Sequence, residues 1–519
     1  MTISLRAGDA APSGARASAN QAGIAPDVWL VLAITAIAAL LRFSTITSQS
    51  FWVDEATTVH EVGLSFGAML HETHVNETTP PLYFALAWVW TRLFGSGELG
   101  IRSLSALAGT ALVPVTYLCG RELVSRAAGV FAAALVALSP FMIWYSQEAR
   151  SYMLIALLSG LSLLYWTRAA RERGVRWLAL WAAISALAVL THFFAGFLIA
   201  PEALRLLWRR RDRASVIAAS TVAAVQLAVL PLALGDTGHP LDWITGIPLS
   251  TRITQIPVTF GVSQLYQSSS GLVGEGLLGA AIVASLAAAL VCFGGGERER
   301  RGALAAASLA AFAILAPLVL AELGHDYVFA RNFMPAWIPL AVVLGAACSS
   351  PRAPIAGSAL AVCLLAGFVW AGVEIDGNPL YQRPDWRGAA AALGVAPAQR
   401  AIVAYAGNAA GEPLAIYLPR TQFSYSGRPA SSAPQTIYEL DIVGNGAQTL
   451  SSPLPAGFRL ISSSAVNGLI LVARLALTAS QRLTPDQVAA RAQMLLSIVP
   501  AGQPAVLFQK GATSPRPRR

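Results

Sequence analysis

Eleven apolar runs of bilayer-crossing length, separated by short loops that hold most of the arginines, leave this chain few ways to fold. The hydrocarbon core of a membrane is about 30 Å thick and a helix rises 1.5 Å per residue, so a span needs on the order of 20 mostly apolar residues. The runs lie near residues 27–45, 100–119, 127–145, 151–168, 176–191, 193–208, 214–234, 272–293, 302–322, 333–348 and 354–373. With 55% hydrophobic and 12% charged residues among 519, and a mean hydropathy of +0.57, an ordinary soluble globular protein is excluded. The expected fold class is an α-helical polytopic membrane protein with about eleven transmembrane helices.

Arginine placement orients these spans. One set of loops holds Arg121, Arg126, Arg168, Arg171, Arg173, Arg176, Arg209, Arg210, Arg211, Arg213, Arg298, Arg300, Arg301 and Arg352, whereas the alternate loops hold Arg92, Arg150, Arg252 and Arg331. By the positive-inside rule the first set is cytosolic, which puts the N-terminus inside and the C-terminus outside. Residues 80–94 form a twelfth apolar run, but two prolines open it and fifteen residues reach only about 22 Å as a helix. They are expected to lie at the membrane surface or re-enter. Arg42 and Arg102 sit at outer ends of spans; snorkelling to headgroups suits Arg42, and a role facing the interior is as good a reading for Arg102. The formal charge of +9 comes from arginines scattered between apolar runs, not from a solvated basic stripe, so nucleic acid is not an expected partner.

Three regions follow. Residues 1–26, rich in Ala, Ser and Gly, read as a disordered cytosolic tail; 27–373 is the transmembrane domain, with 45–99 its first external loop; and 374–519 is a small α/β domain outside the membrane. In that last region Ala401–Ala406, Ile437–Val443, Gly468–Ala473 and Ala505–Gln509 read as strands. Thr484-Pro485-Asp486-Gln487 has the capping residue, proline and glutamine of a helix start. Cys119, Cys292, Cys348 and Cys363 show no ligand spacing, and neither disulfides nor zinc is expected. Gly294-Gly295-Gly296 is not followed by Lys-Ser or Lys-Thr, so it is no nucleotide-binding P-loop.

The informative asymmetry is the crowding of acids, histidines and aromatics on the external loops. The first loop holds Phe51-Trp52-Val53-Asp54-Glu55, then His60, His71, His74, Glu77 and Pro80-Pro81-Leu82-Tyr83-Phe84. A second carries Trp144-Tyr145-Ser146-Gln147-Glu148-Ala149-Arg150-Ser151-Tyr152, a third His192, and a fourth His325-Asp326-Tyr327 with Arg331. Charges this close to lipid are costly unless paired or facing water, which makes them candidates for function. Competing explanations are an interfacial Trp anchor beside a solvated acidic turn, and a Glu148–Arg150 surface pair.

Trp52-Val53-Asp54-Glu55, Thr79-Pro80-Pro81-Leu82-Tyr83-Phe84, Gly100-Ile101-Arg102-Ser103-Leu104-Ser105-Ala106 and Ser139-Pro140 leading to Tyr145–Tyr152, in this order and spacing, resemble the GT-C superfamily. More narrowly they are similar to its bacterial family 39-like branch, related to protein O-mannosyltransferases and lipid A aminoarabinose transferases. The resemblance covers residues 27–200 and extends weakly to 327–335 and Asp385-Trp386-Arg387. It implies a polyprenyl-phosphate sugar donor, inverting transfer, juxtamembrane helices in the first external loop, a catalytic acid at Asp54 and a second acidic position at Glu148. Many relatives carry a histidine before the Pro-Pro pair; here Thr79 stands there, and His74 is a nearby substitute.

Such a transfer needs a carboxylate to take the acceptor's proton and cations to stabilise the departing phosphate. Asp54, Glu55 and Glu148 are the candidate catalytic acids, with the choice between Asp54 and Glu55 open. Arg102, Arg150 and Arg331, with Tyr327, are candidates for the donor phosphate, since guanidinium matches phosphate in bidentate geometry. Trp52, His74, Tyr83, Tyr145 and His192 are candidates for substrate contact. A divalent cation, if any, would fall to Asp54 and Glu148; no other cofactor is expected. The expected partners are a polyprenyl-phosphate-linked sugar, a lipid, glycan or protein acceptor, and membrane lipids, in a bacterial inner membrane. A lipid or sugar transporter is the alternative, which predicts charges buried mid-span and broken helices.

Overall fold

The computed structural model describes residues 25–77, 79–234, 242–268, 270–405, 411–424, 433–445, 449–498 and 504–511. The expected tail therefore lies almost wholly outside the described residues. The chain opens with α1 (Pro26–Phe43), followed by three short helices, α2 (Val53–Gly63), α3 (Phe66–Asn76) and α4 (Leu82–Phe94). The bundle continues with α5 (Glu98–Leu123), α6 (Arg126–Leu138), α7 (Pro140–Ser146), α8 (Tyr152–Arg171), α9 (Val175–Thr191), α10 (Ala195–Arg210) and α11 (Arg213–Leu234). After the single turn α12 (Asp242–Thr245) come α13 (Leu249–Val262), α14 (Ser270–Gly294), α15 (Glu297–Glu322), α16 (Met334–Cys348) and α17 (Pro354–Gly377).

Ten of the eleven apolar runs fall on single helices, and the run at 127–145 falls on the pair α6 and α7. Among the described residues eight helices are long and apolar enough to cross a membrane, or nine if α6 and α7, bent by 57° at Ser139, count as one broken span. Proline causes the bend: Pro140 lacks an N–H to continue the ladder, and Ser139 Oγ instead accepts from Met142 N to start a new helix. The break strands carbonyls at the end of α6, and Arg42 satisfies them. Its guanidinium donates to Val136 O at 2.9 Å, Ala137 O at 3.0 Å and Ser146 Oγ at 3.0 Å, and it has no exposed surface. Arg42 thus caps a helix end where snorkelling was expected. Gly109 of α5 permits this packing, since a Cβ there would lie 2.2 Å from Ser146 Oγ.

The two ends of the bundle differ as the arginine pattern predicts. At one end Arg168 pairs with Glu122 at 2.6 Å, Arg210 donates to the carbonyls of Ala169, Glu172 and Arg173, and Arg352 donates to Gly295 O. These contacts tie the arginine-rich loops into one face. The acid-bearing loops meet at the other. There α4, thirteen residues long, packs on α2 and α3 with Arg92 donating to Val62 O and Leu64 O and Trp88 Nε1 to Leu64 O. Its Leu86, Val89 and Leu93 stay exposed at a helical spacing, the pattern of a helix lying along a lipid surface.

The C-terminal domain contains α18 (Trp386–Leu393), β1 (Arg400–Tyr405), α19 (Gly411–Tyr417), β2 (Thr421–Ser424), β3 (Gln435–Asn445), β4 (Phe458–Val466), β5 (Ile470–Leu483), α20 (Pro485–Met494) and β6 (Ala505–Gln509). The six strands form one sheet in the order β2-β6-β1-β3-β5-β4, with β1 parallel to β3 and the other pairs antiparallel. One face packs with α18 and α19, the other with α20, so both faces are buried. The helix start at Thr484 is as read: Thr484 Oγ1 accepts from Gln487 N, and Gln487 Oε1 from Thr484 N.

Candidate active site

Helix α2 begins directly after Trp52, and its first turn contains both acids, where carboxylates favour the helix dipole. Neighbouring residues on a helix project about 100° apart, so Asp54 and Glu55 face different surroundings. Glu55 turns inward and is fully buried, its two oxygens accepting from Arg102 Nε at 2.7 Å and Nη2 at 2.6 Å. Ala149 N adds a bond at 3.0 Å. Arg102 gives its remaining donors to the carbonyls of Ile46, Gln49 and Ser50, so that all five guanidinium N–H groups are used. Burial pushes the Glu55 carboxyl up, but Arg102 and the Ala149 amide outweigh it and leave the group below its ordinary value.

Asp54 turns the other way. Its Oδ2 lies 3.0 Å from Arg331 Nη1, and both side chains keep some exposure, 23% and 13%. Aromatic rings wall this pair: the Arg331 guanidinium lies 5.8 Å from the Trp52 ring, 5.4 Å from Tyr152 and 5.3 Å from Phe329. Tyr145 packs edge-on against Tyr152, and His192 lies 6.2 Å beyond it, centroid to centroid. Burial, with Arg150 and Arg331 nearby, drives the His192 pKa down to about 3, so its ring is neutral. The loop carrying Arg331 is pinned by Arg252 of α13, which grips Asp326 at 2.7 and 2.5 Å and Val328 O at 2.8 Å.

The turn after α7 supplies the third acid. Glu148 is fully buried, and its partner is Arg383, 235 residues away in the linker that follows α17, at 3.1 Å. Burial raises the Glu148 carboxyl to about 7, with Glu55 and Asp54 adding to the rise and Arg383 and Arg331 opposing it. The Glu148–Arg150 surface pair, the competing explanation for this turn, does not form. Arg150 is instead held by Glu77 through two bonds of 2.6 and 2.7 Å, and reaches Asp54 O and Thr58 Oγ1 from the same nitrogen.

The structure thus brings Asp54, Glu148, Arg331, Trp52, Tyr145, Tyr152 and His192 into one neighbourhood and assigns other expected residues elsewhere. Glu55 and Arg102 are consumed by each other, leaving neither a free acid oxygen nor a donor for phosphate. Arg150 is committed to Glu77. Tyr83 is fully buried in the apolar core of the first loop with Phe51, Met69 and Phe84. His74 is exposed in the last turn of α3, and among the described residues no contact links it to Asp54. Tyr327 is half-buried and packs in the cluster formed by Phe194, Ile256 and Val328.

Arg383 escaped the sequence reading; the signal was its place two residues before Asp385-Trp386-Arg387. The fit of a metal is poor as the side chains stand: Asp54 and Glu148 each face a guanidinium, and among the described residues no three His, Cys, Asp or Glu side chains gather around a common point. No step is routed through one.

Comparison with known proteins agrees with this architecture. Residues 78–234 match the family described as dolichyl-phosphate-mannose-protein mannosyltransferase. Over 157 residues, 29% of the chain, the sequence is 29% identical to an uncharacterized protein of Aquifex aeolicus (strain VF5), of which it spans 30%. The crystal structure of ArnT from Cupriavidus metallidurans in the apo state aligns with a TM-score of 0.51 at 13% identity, covering 87% of this chain and 98% of that one. ArnT bound to undecaprenyl phosphate gives 0.49 at 14% identity over the same shares. The archaeal oligosaccharyltransferase AglB from Archaeoglobus fulgidus gives 0.41 at 15%, covering 70% of this chain and 57% of that one. The fold is similar to that of ArnT, and the matched segment is similar to the dolichyl-phosphate-mannose-protein mannosyltransferase family.

Proposed function

We propose that the protein moves a sugar from a polyprenyl-phosphate donor to an envelope lipid, glycan or protein, on the face of the membrane that bears Asp54. One observation carries this reading: of the acids gathered here, Glu55 is sealed against Arg102 and Glu148 is fully buried beside Arg383, whereas Asp54 shares with Arg331 a partly exposed pair walled by aromatic rings. The description of the matched family, which names a dolichyl-phosphate sugar, supports the donor class. By arginine placement the site faces away from the cytosol, in keeping with a bacterial inner-membrane enzyme.

In this scheme the donor phosphate takes Arg331 from Asp54, since a phosphate competes well for a guanidinium. Asp54 then accepts the proton of the acceptor's hydroxyl or amine as that atom bonds to the anomeric carbon. The bond from that carbon to the phosphate oxygen breaks, its electron pair leaving with the polyprenyl phosphate, whose charge Arg331 stabilises. A single displacement of this kind inverts the anomeric configuration. Trp52 and Tyr152 would offer the sugar apolar faces.

The transporter alternative predicts charges buried mid-span and broken helices, and among the described residues the bundle has one of each, in Glu202 of α10 and the α6–α7 break; both are held by fixed partners. Glu202 Oε2 accepts from Ser162 Oγ at 2.6 Å and Trp181 Nε1 at 2.9 Å, and the break in α6–α7 is closed by Arg42. The test is transfer of labelled hexose from a polyprenyl-phosphate hexose in membranes containing the full chain. Asp54→Asn should lower the rate by about 10²–10⁴-fold, the usual contribution of a general base, while the protein still inserts. Retained transfer in that variant refutes the role of Asp54; substrate accumulation without covalent product in proteoliposomes refutes the transferase.

A further inference from the structure

We infer that Arg383 is a positioning residue of the transfer centre, delivered by the linker to the C-terminal domain, and that it fixes one oxygen of Glu148 so that the other remains for substrate. This rests on the transferase reading. Sequence and packing point the same way. Arg383 belongs neither to the bundle nor to the sheet, yet only 7% of it is exposed, and its guanidinium stacks 4.3 Å from the Trp144 ring while bonding Glu148 Oε2. Glu148 Oε1 and Arg383 Nε are buried and have no partner among the described residues. A buried acceptor and a buried donor left unpaired are costly in a purely structural ion pair. A sugar hydroxyl, which both accepts and donates, has the chemistry to satisfy them.

The linker is also fastened to the strand of chain that leads into Asp54. Arg383 N donates to Gln49 Oε1 at 2.9 Å; Ser50 Oγ donates to Pro384 O and accepts from Trp386 N; and Arg387 donates to the carbonyls of Thr47 and Ser48. The domain beyond repeats the grip. Tyr417 Oη accepts from Phe51 N at 2.8 Å and donates to Glu98 at 2.6 Å, and Thr57 Oγ1 donates to Glu412 at 2.7 Å. Residues 47–57, with Asp54 among them, are therefore held against the bundle on one side and against the linker and C-terminal domain on the other. A domain attached only for acceptor recognition would not need to supply a buried cation to Glu148.

The experiment measures hexose transfer from a polyprenyl-phosphate hexose by the full chain. Arg383→Met keeps the aliphatic stem over Trp144 and removes the charge; it should lower kcat about 10- to 100-fold, the scale of a small misplacement at a reacting centre, and change the donor KM less than about twofold. Arg383→Lys should recover most of the loss. Glu148→Gln and the double variant Glu148→Gln/Arg383→Met should be equally slow, because the two side chains act as one unit. Wild-type kinetics in Arg383→Met, losses that multiply in the double variant, or a Lys variant no better than Met would each overturn the inference. A wild-type chain that transfers neither a hexose nor a pentose from its polyprenyl-phosphate form is instead a failure of the transferase reading, so the two failures are distinct.

Discussion

Asp54 and Glu55 are consecutive acids on one helix, each facing one arginine, yet the two pairs have opposite characters. Glu55–Arg102 is closed: both side chains are buried, every guanidinium donor is used, and the partners bridge the first loop to α5. Asp54–Arg331 is open: Asp54 Oδ2 and Arg331 Nη1 lie 3.0 Å apart, with partial exposure at both partners and aromatic walls. A buried pair whose donors and acceptors are all satisfied fixes geometry but has nothing left to give a ligand. A pair that keeps contact with solvent can exchange a partner for a phosphate at smaller cost than a sealed one. In the proposed scheme the structural acid builds the platform on which Asp54 stands.

If this division holds, removing Arg102 should produce the largest loss of stability. Arg102→Ala leaves Glu55 buried without its counter-charge, and breaking such a pair from one side costs about 3–5 kcal/mol. The variant should accumulate poorly or unfold in detergent at a clearly lower temperature, whereas Asp54→Asn should lose less, since both members of its pair keep contact with solvent and the amide preserves the shape. Equal thermal stability of the two variants would erase the distinction between closed and open pairs.

A smaller effect is expected from the other side of the comparison. Arg331→Lys keeps the charge but loses the planar fork, so donor binding should weaken by roughly tenfold with little change in folding; Arg331→Ala should weaken it further, by the roughly 1.5–3 kcal/mol of a charged hydrogen bond. Titration of the wild type and both variants with undecaprenyl phosphate measures this directly. Affinity unchanged in Arg331→Ala would mean that the phosphate is held elsewhere.

How much of this was legible beforehand follows from what distance does to a sequence signal. The spans announce themselves through length and apolarity, and the arginine-rich loops through local charge, so the bundle could be read from the residues. The acid cluster was visible for the same reason, being contiguous at Trp52–Glu55 and Tyr145–Tyr152. What could not be read was pairing. Nothing in the spacing of Asp54 and Glu55 says which one meets a buried arginine, and nothing near Glu148 says that its partner lies 235 residues on. Arg42 was misjudged because the carbonyls it caps belong to a different helix. In the C-terminal domain β2 is only four residues long, and β4, an edge strand with Ser462-Ser463-Ser464 and most of its surface exposed, lacks the alternation that marks a half-buried strand.

The smallest predicted effect concerns a third acid on the same helix. Glu61 is buried with its Oε1 unpartnered among the described residues, and Thr73 Oγ1 reaches its Oε2 only at 3.5 Å. Burial, then Glu77 and Glu412, push its carboxyl up to about 9, against the pull of Arg150. The folded chain therefore keeps this proton over a range in which the unfolded chain, titrating near 4.5, has lost it. With more protons bound in the native state, stability must fall as pH rises from about 4.5 to about 9. Glu61→Gln removes that dependence while preserving shape. Its melting temperature should match wild type near pH 4.5 and exceed it increasingly up to pH 9, in melts of the detergent-solubilised chain. A constant difference across that window would mean that Glu61 is ionised in the fold. The helix would then carry a second buried carboxylate without the counter-charge that Glu55 receives from Arg102, and the contrast between closed and open acids would lose its physical basis.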